Sequence, residues 1–98
     1  MITRDGDTLQ LSGPLTLQTV KELYDRGLQA NGSNSLVVDL SRVEGVDSAG
    51  VSLLLSWLRE AQHSGINVSF SNIPQNLMSL AKLYGVADML PLSGESAA

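Results

Sequence analysis

The clearest hydrophobic pattern in the chain runs from position 36 to position 61. The apolar run at 36–38 is short and β-branched, which is typical of a strand covered on both faces. A polar segment at 39–46 follows, and apolar residues then recur at helical spacing: Val51, Leu54, Leu55, Leu58 and Ala61. The pattern predicts a strand, a polar loop and a helix that buries one stripe and ends at Gly65.

The first third of the chain predicts a hairpin and a helix. Residues 1–13 contain a turn-forming segment followed by alternating apolar and polar positions, and Gly13-Pro14 is expected to end the second strand. Thr16 is a candidate N-cap for the helix, which leads into a polar loop at 31–34. The apolar face of this helix is expected to contain Leu17, Val20, Leu23 and Tyr24.

The last third predicts a strand and a third helix. Apolar residues alternate with polar ones over 66–70, and Pro74 is typical of a first helical turn. Gly85 is expected to end this helix, whose apolar side would be Leu77, Leu80, Ala81 and Tyr84. The order β-β-α-β-α-β-α indicates an α/β fold, with helices packed against a mixed sheet. We expect one domain over 1–92 and a flexible tail at 93–98.

Composition and charge exclude several classes of function. The 98 residues include no cysteine, so disulfides, thiolate metal sites and cysteine nucleophiles are ruled out. The formal net charge of −4 disfavours direct binding to nucleic acid or to an anionic membrane. The N-terminus resembles no signal peptide, and no window approaches the length of a membrane span. A cytoplasmic protein without direct membrane insertion is therefore expected.

Residues that could support catalysis are few. His63 is the only histidine and falls near the end of the second helix, where a surface position is expected because no partnered nucleophile can be placed. Neither a Walker-type phosphate loop nor a GxGxxG motif is present. Asp39, Glu44 and Asp47 could hold a hard cation such as Mg²⁺, but loop solvation and helix-dipole pairing explain these acids more simply. We predict a protein that is not an enzyme and has no cofactor or metal; a small enzyme or carrier using these acids is the remaining alternative.

The start of the second helix contains the most informative polar residues. Asp47 and Ser48 are both good N-cap residues. The Ser48 hydroxyl could serve as the cap alone, or it could meet an anionic group or a partner at the helix start. Ala49 and Gly50 keep this turn free of bulk, which suits either a partner's backbone or close packing of the helix on a strand.

Leu53 and Trp57 are one helical turn apart, beside the predicted buried stripe. An exposed Leu–Trp pair would be a good anchor for a partner protein, since tryptophan is enriched among interface hot spots. Alternatively, Trp57 packs against a neighbouring helix of the same domain.

The motif Val38-Asp39-Leu40-Ser41 followed by Val46-Asp47-Ser48-Ala49-Gly50 resembles the signature of STAS domains. The family includes sulfate-transporter tails and anti-sigma factor antagonists, and the resemblance extends over 1–92. It implies a STAS-like mixed β-sheet with helices packed against it. The stretch LAKLYGVADMLP at 80–91 is more similar to the STAS subunits of Mla-type phospholipid-transport ABC complexes than to the antagonists.

The resemblance implies a non-enzymatic subunit that binds an MlaF-like ABC transporter ATPase, and indirectly its permease, at the cytoplasmic side of the inner membrane. The system would maintain outer-membrane lipid asymmetry. The alternative is an anti-sigma factor antagonist switched by phosphorylation of Ser48. Asp47 would oppose the added charge, and a partner surface built for a neutral hydroxyl would lose the contact. The expected partner-binding residues are Asp47, Ser48, Ala49, Gly50, Ser52, Leu53 and Trp57.

Overall fold

The elements of the protein alternate between strands and helices in the predicted order. The computed structural model describes residues 2–28, 32 and 34–92. The strands are β1 (Ile2–Asp5), β2 (Thr8–Leu15), β3 (Ser35–Val46) and β4 (Asn67–Ser71), and the helices are α1 (Leu17–Arg26), α2 (Ser48–Ser64) and α3 (Gln75–Leu83), followed by a 3₁₀ turn at Ala87–Met89. The predicted fold class and element order are confirmed.

The four strands form one mixed sheet in the order β1-β2-β3-β4. β1 and β2 are the predicted antiparallel hairpin, whose turn contains Gly6 at φ 60°. β2, β3 and β4 are parallel, so α1 and α2 serve as the connections between them. Because parallel connections of this kind are right-handed, both helices lie on the same face of the sheet. α2 contacts both α1 and α3.

The core lies between this face of the sheet and the helices. Along β3, Leu36, Val38 and Leu40 are inaccessible to solvent, while the alternate residues Val37 and Asp39 are half-buried. The expectation that 36–38 is covered on both faces is therefore wrong, because the helices cover only one face. Each buried leucine or valine side chain stabilises the fold by about 1.5–3 kcal/mol relative to an exposed position.

β3 is longer than its apolar run predicts. Residues 39–46, expected to be a loop, continue the strand and pair with β2 as far as the partners Leu15 and Val46. Gly13-Pro14 also fails to end β2. Gly13 has a φ of 83°, and the pairing of β2 with β3 continues past it with shifts in register. As a result, only Asp47 separates the end of β3 from the start of α2.

α2 buries more than the single predicted stripe. Val51, Leu54, Leu58 and Ala61 are buried as expected, whereas Leu55 is half-buried. Leu53 and Trp57 are 0% and 1% exposed, so the interpretation as an exposed pair is wrong and the alternative, packing of Trp57 inside the domain, is confirmed. α1, α3 and β4 all contact this helix, and the extra apolar face packs inside the domain. α2 ends at the predicted residue, with Gly65 in the left-handed conformation (φ 72°, ψ 28°).

α1 and α3 leave some predicted core residues at the surface. Val20 and Leu23 of α1 are buried, but Leu17 is 75% exposed and Tyr24 is 40% exposed. Tyr84, which follows α3, is 52% exposed, although Leu77 and Ala81 are buried. Two residues of the predicted loop, Asn31 and Ser33, and the predicted tail at 93–98 lie outside the described residues.

Candidate functional site

Asp47 forms the junction between β3 and α2. Its backbone is extended (φ −135°, ψ −171°), and its Oδ1 accepts the backbone N–H of Ala49 at 2.8 Å. Asp47 is therefore the N-cap, and Ser48 is the first helical residue. Of the two predicted caps, the one that satisfies the helix end is the aspartate. The Ser48 side chain is exposed and does not serve as the cap of the helix.

The same carboxylate also binds the start of α1. Asp47 Oδ2 accepts the backbone N–H of Leu17, the first residue of α1, at 3.1 Å. The Asp47 N–H donates to the Leu15 carbonyl at 3.2 Å. The N-termini of two helices thus meet at one negative group, whose charge complements both helix dipoles. The position where an outside anion would bind is already filled by the chain's own carboxylate.

Gly50 is buried against the chain itself. A Cβ at this position would lie 3.2 Å from the Leu15 carbonyl oxygen, 3.3 Å from Leu15 Cβ and 3.4 Å from Leu77 Cδ1. The missing side chain therefore lets the first turn of α2 pack on the end of β2 and on α3. Of the two explanations for Ala49 and Gly50, helix–strand packing is the one that applies to Gly50. Ala49 is half-buried.

Two exposed hydroxyls mark the outer side of this helix start. Ser48 and Ser52 are one turn apart on α2, and both are exposed. We call this pair the serine ridge. Among the predicted partner-binding residues, the structure brings Asp47, Ser48, Ala49, Gly50 and Ser52 together in the first turns of α2, but only the serine ridge is exposed. Leu53 and Trp57 belong to the core instead.

A groove lies on each side of the serine ridge. The α1 groove, with a volume of about 360 Å³, is walled by Leu17, Val20 and Tyr24. The α3 groove, with a volume of about 370 Å³, is walled by Leu55, Tyr84 and Val86. Both grooves include Ser48 and Ser52, so the ridge separates two shallow apolar surfaces, each of which contains a tyrosine.

Apart from Val86, the groove walls are residues that the hydrophobic pattern assigned to the apolar faces of the helices. Leu17 and Tyr24 have the helical spacing of buried residues, and only the position of α1 relative to α2 exposes them. One signal in the sequence distinguishes Leu17 from the other apolar residues of α1: it directly follows the N-cap Thr16, at the end of the helix.

The three acids that suggested a cation site are apart in the structure. Asp39 lies on β3, where it accepts hydrogen bonds from the Ser41 N–H (3.0 Å), Asn72 Nδ2 (3.1 Å) and Gln10 Nε2 (3.2 Å). Partial burial raises the pKa of Asp39, but the hydrogen bonds from Asn72, Ser41 and Gln10 outweigh it, and the net pKa is lowered. Within the described residues, no three His, Cys, Asp or Glu side chains are grouped as metal ligands.

His63 is exposed near the C-terminal end of α2, the end opposite the serine ridge. The described part of the chain contains no helix that is both long and apolar enough to cross a bilayer.

Comparison with known sequences identifies close relatives. The family model described as "Mlab, STAS domain" matches residues 1–91. The chain is 39% identical over 87 residues to the intermembrane phospholipid transport system binding protein MlaB of Escherichia coli K12, covering 88% of this chain and 89% of the relative. It is 34% identical over 91 residues to the protein of the same name from Haemophilus influenzae, covering 88% and 87%.

Solved structures with the same fold are more distant in sequence. The anti-sigma factor antagonist SpoIIAA in its unphosphorylated form matches with a TM-score of 0.73 and 16% identity, over 99% of this chain and 90% of that one. A sulfate transporter family protein from Wolinella succinogenes matches with a TM-score of 0.70 and 15% identity, over 86% and 70%. These two similarities concern the fold alone. The sequence relatives agree with the resemblance found at 38–50 and 80–91, and the chain belongs to the MlaB-type STAS domain family.

Proposed function

We propose that this protein, through a single domain over 1–92, binds the ATPase of an ABC-type phospholipid transport system and performs no catalysis itself. The system would maintain outer-membrane lipid asymmetry. The choice of a phospholipid transport system is supported by the relatives, which are named as binding proteins of an intermembrane phospholipid transport system. The observation that carries the binding role is the exposed serine ridge at the start of α2, flanked by two apolar grooves.

The chemistry of this surface favours a protein partner. Tyr24 and Tyr84 present large, partly exposed rings on either side of two small hydroxyls. Tyrosine is enriched at protein interfaces because its ring buries apolar area while its hydroxyl keeps a hydrogen-bond partner. The net charge of −4 makes nucleic acid and anionic lipid poor direct ligands. The protein would therefore reach the cytoplasmic side of the inner membrane, and the permease, only through the ATPase.

Ser48 is the residue expected at the centre of the contact. It stands on both grooves, and Asp47 rather than Ser48 caps the helix. The Ser48 hydroxyl is thus available to donate to or accept from a partner without loss of the cap. A bulky charged side chain here would hold the partner away from both grooves at once.

The experiment compares Ser48→Arg with Ser64→Arg during co-purification with the ATPase subunit. Both serines are exposed residues of α2, at its first and last positions, so the substitutions are matched in chemistry. The helix dipole disfavours a cation at the start of α2 and favours one at its end, each by only about 0.3–1 kcal/mol at an exposed position, so both variants should stay folded with melting temperatures near that of the wild type. We expect Ser48→Arg to abolish co-purification and Ser64→Arg to retain it. Retention of the ATPase by Ser48→Arg would refute the proposed site.

A phosphorylation switch at Ser48 is the second candidate function. The exposure of Ser48 and the fold shared with SpoIIAA favour it. The adjoining Asp47 carboxylate opposes it, because a phosphate would add a charge of about −1.5 to −2 beside an existing negative group. Incubation with an anti-sigma factor kinase and ATP, followed by intact-mass measurement, tests the switch. A phosphate adduct that disappears in Ser48→Ala would support it, and an unchanged mass would reject it.

A further inference from the structure

We infer that Asp47 is a positioning residue for the partner surface, and that it holds α1 beside α2 so that Leu17 and Tyr24 form a second half of that surface. The inference rests on the proposed binding of the ATPase. It changes the role expected of Asp47 from a contact residue to one that acts through Leu17. It also identifies Leu17 as a contact residue on the α1 side of the surface, although no residue of α1 is among the predicted partner-binding residues.

The two oxygens of Asp47 have separate tasks. Oδ1 accepts the N–H of Ala49 in α2 at 2.8 Å, and Oδ2 accepts the N–H of Leu17 in α1 at 3.1 Å. Serine, threonine and asparagine have a single accepting side-chain oxygen, which would have to lie within reach of both N–H groups. The carboxylate of aspartate provides a separate oxygen for each helix start.

The start of α1 is held firmly although it is exposed. The Thr16 N–H donates to Thr19 Oγ1 at 2.9 Å, and the Thr19 hydroxyl donates to the Pro14 carbonyl at 2.8 Å. The Asp47 contact adds a hydrogen bond from outside this turn. Leu17 is thus a leucine with 75% of its side chain exposed on a fixed backbone. A fixed apolar wall loses little conformational entropy on binding, which favours association.

The occupant of the α1 groove is the same ATPase. Ser48 and Ser52 belong to this groove as well as to the serine ridge, so a partner placed over the ridge extends onto Leu17 and Tyr24. The wall of the α1 groove along α1 is mainly apolar, and the polar side chains of the opposite wall are those of Asp47, Ser48 and Ser52. We therefore expect the ATPase to bury an apolar side chain between Leu17 and Tyr24.

The first experiment measures the affinity of the full chain for the purified ATPase subunit with Leu17→Ser and Leu83→Ser. These leucines are 75% and 76% exposed on helices, and Leu83 lines neither groove, so it is a matched control. Losing a buried leucine from an interface should weaken the affinity about tenfold or more. Leu83→Ser should leave the affinity within about twofold, since it loses no interface area.

The second experiment isolates the role of Asp47 with Asp47→Ser. Serine can still cap α2 but leaves the Leu17 N–H without its carboxylate. We expect the affinity to fall about threefold, and Leu17→Ser to cost less in the Asp47→Ser background than in the wild type, because coupled residues are non-additive. A purely structural role would lower the melting temperature and leave the cost of Leu17→Ser unchanged.

The outcomes separate this inference from the proposed function. If Ser48→Arg still binds the ATPase, the proposed function fails. If Ser48→Arg loses binding but Leu17→Ser behaves like Leu83→Ser, only the role of α1 fails. If Leu17→Ser weakens binding and its effect adds independently to that of Asp47→Ser, α1 is part of the surface but Asp47 does not position it.

Discussion

Two sides of the same helix differ sharply in this protein. Leu53 and Trp57 face the interior of the domain and are essentially inaccessible, whereas Ser48 and Ser52 face outwards. In each pair the two residues are one turn apart on α2, and both pairs were candidates for partner contact. The pair with the larger apolar side chains belongs to the core, and the pair with the smaller polar ones belongs to the surface.

This difference follows from the place of α2 in the fold. The helix contacts α1 on one side, α3 on another and β4 of the sheet below. A helix enclosed in this way needs an apolar arc wider than the stripe of a helix on the rim. The side of α2 left open to a partner is therefore narrow, and the apolar area next to it comes from α1, from Leu55 of α2 itself and from the segment after α3.

The largest expected effect is on the buried side. Trp57→Ala should lower the free energy of unfolding by about 3–5 kcal/mol, because it removes a large side chain from a packed core. Urea denaturation measures the change. The control is Tyr84→Ala, whose ring is 52% exposed and whose loss should cost about 0.5 kcal/mol or less. Equal, small costs for both would show that Trp57 is a surface residue after all.

A smaller effect is expected where the two sides meet, at Gly50. Gly50→Val should destabilise the protein by about 1–3 kcal/mol, because its side chain would press on the Leu15 carbonyl and on Leu77. Gly45→Val is the matched control: Gly45 lies in β3 with nothing within 4 Å of an added Cβ. Thermal unfolding of the two variants compares them. A tolerated valine at Gly50 would mean that α2 does not pack closely on β2.

The cap of α2 gives a smaller difference still. Asp47→Ala should cost about 0.5–2 kcal/mol because Asp47 is the N-cap. Ser48→Ala should change stability by about 0.5 kcal/mol or less, since Ser48 is an exposed first-turn residue. The measurement is the urea midpoint of each variant. A larger loss for Ser48→Ala than for Asp47→Ala would reverse the assignment of the cap.

The smallest effect concerns Asp39, on the sheet rather than on α2. Its pKa in the folded protein lies below the ordinary value of 3.8. The stability it contributes is therefore fully present above that value and is lost as the pH falls through the lower folded pKa. Urea unfolding of wild type and Asp39→Asn at about pH 7 and about pH 3 should give a difference that shrinks in acid. A difference that grows in acid would contradict the direction of the shift.

The local sequence was sufficient to predict the order of the elements, but not which elements pair or pack with each other. The end of α2 at Gly65 could be predicted because glycine adopts the left-handed conformation of a helix end without steric cost, whatever its neighbours are. The length of β3 could not be read from 39–46, since that polar segment becomes a strand only through pairing with β2. Strand propensity depends strongly on such context.

The candidate site shows the same limit. Asp47 and Ser48 correctly indicated the start of α2, but both are capping residues, and only the extended backbone of Asp47 decides between them. The contact of Asp47 with Leu17 spans thirty positions in the sequence, so no local pattern predicts it. The pattern along α2 could not decide between an exposed and a packed Trp57, because it contains no information on the neighbouring elements that bury this residue.

The burial of Trp57 has a practical consequence. Trp57 is the only tryptophan of the chain. Like Leu53, which lies four residues before it, it is buried in the core. Its intrinsic fluorescence therefore reports the integrity of the interior, at a position more than one helical turn beyond the serine ridge. A variant that releases the ATPase while its emission stays at the blue-shifted wavelength of a buried indole has lost a contact; one whose emission moves to the red has lost the fold.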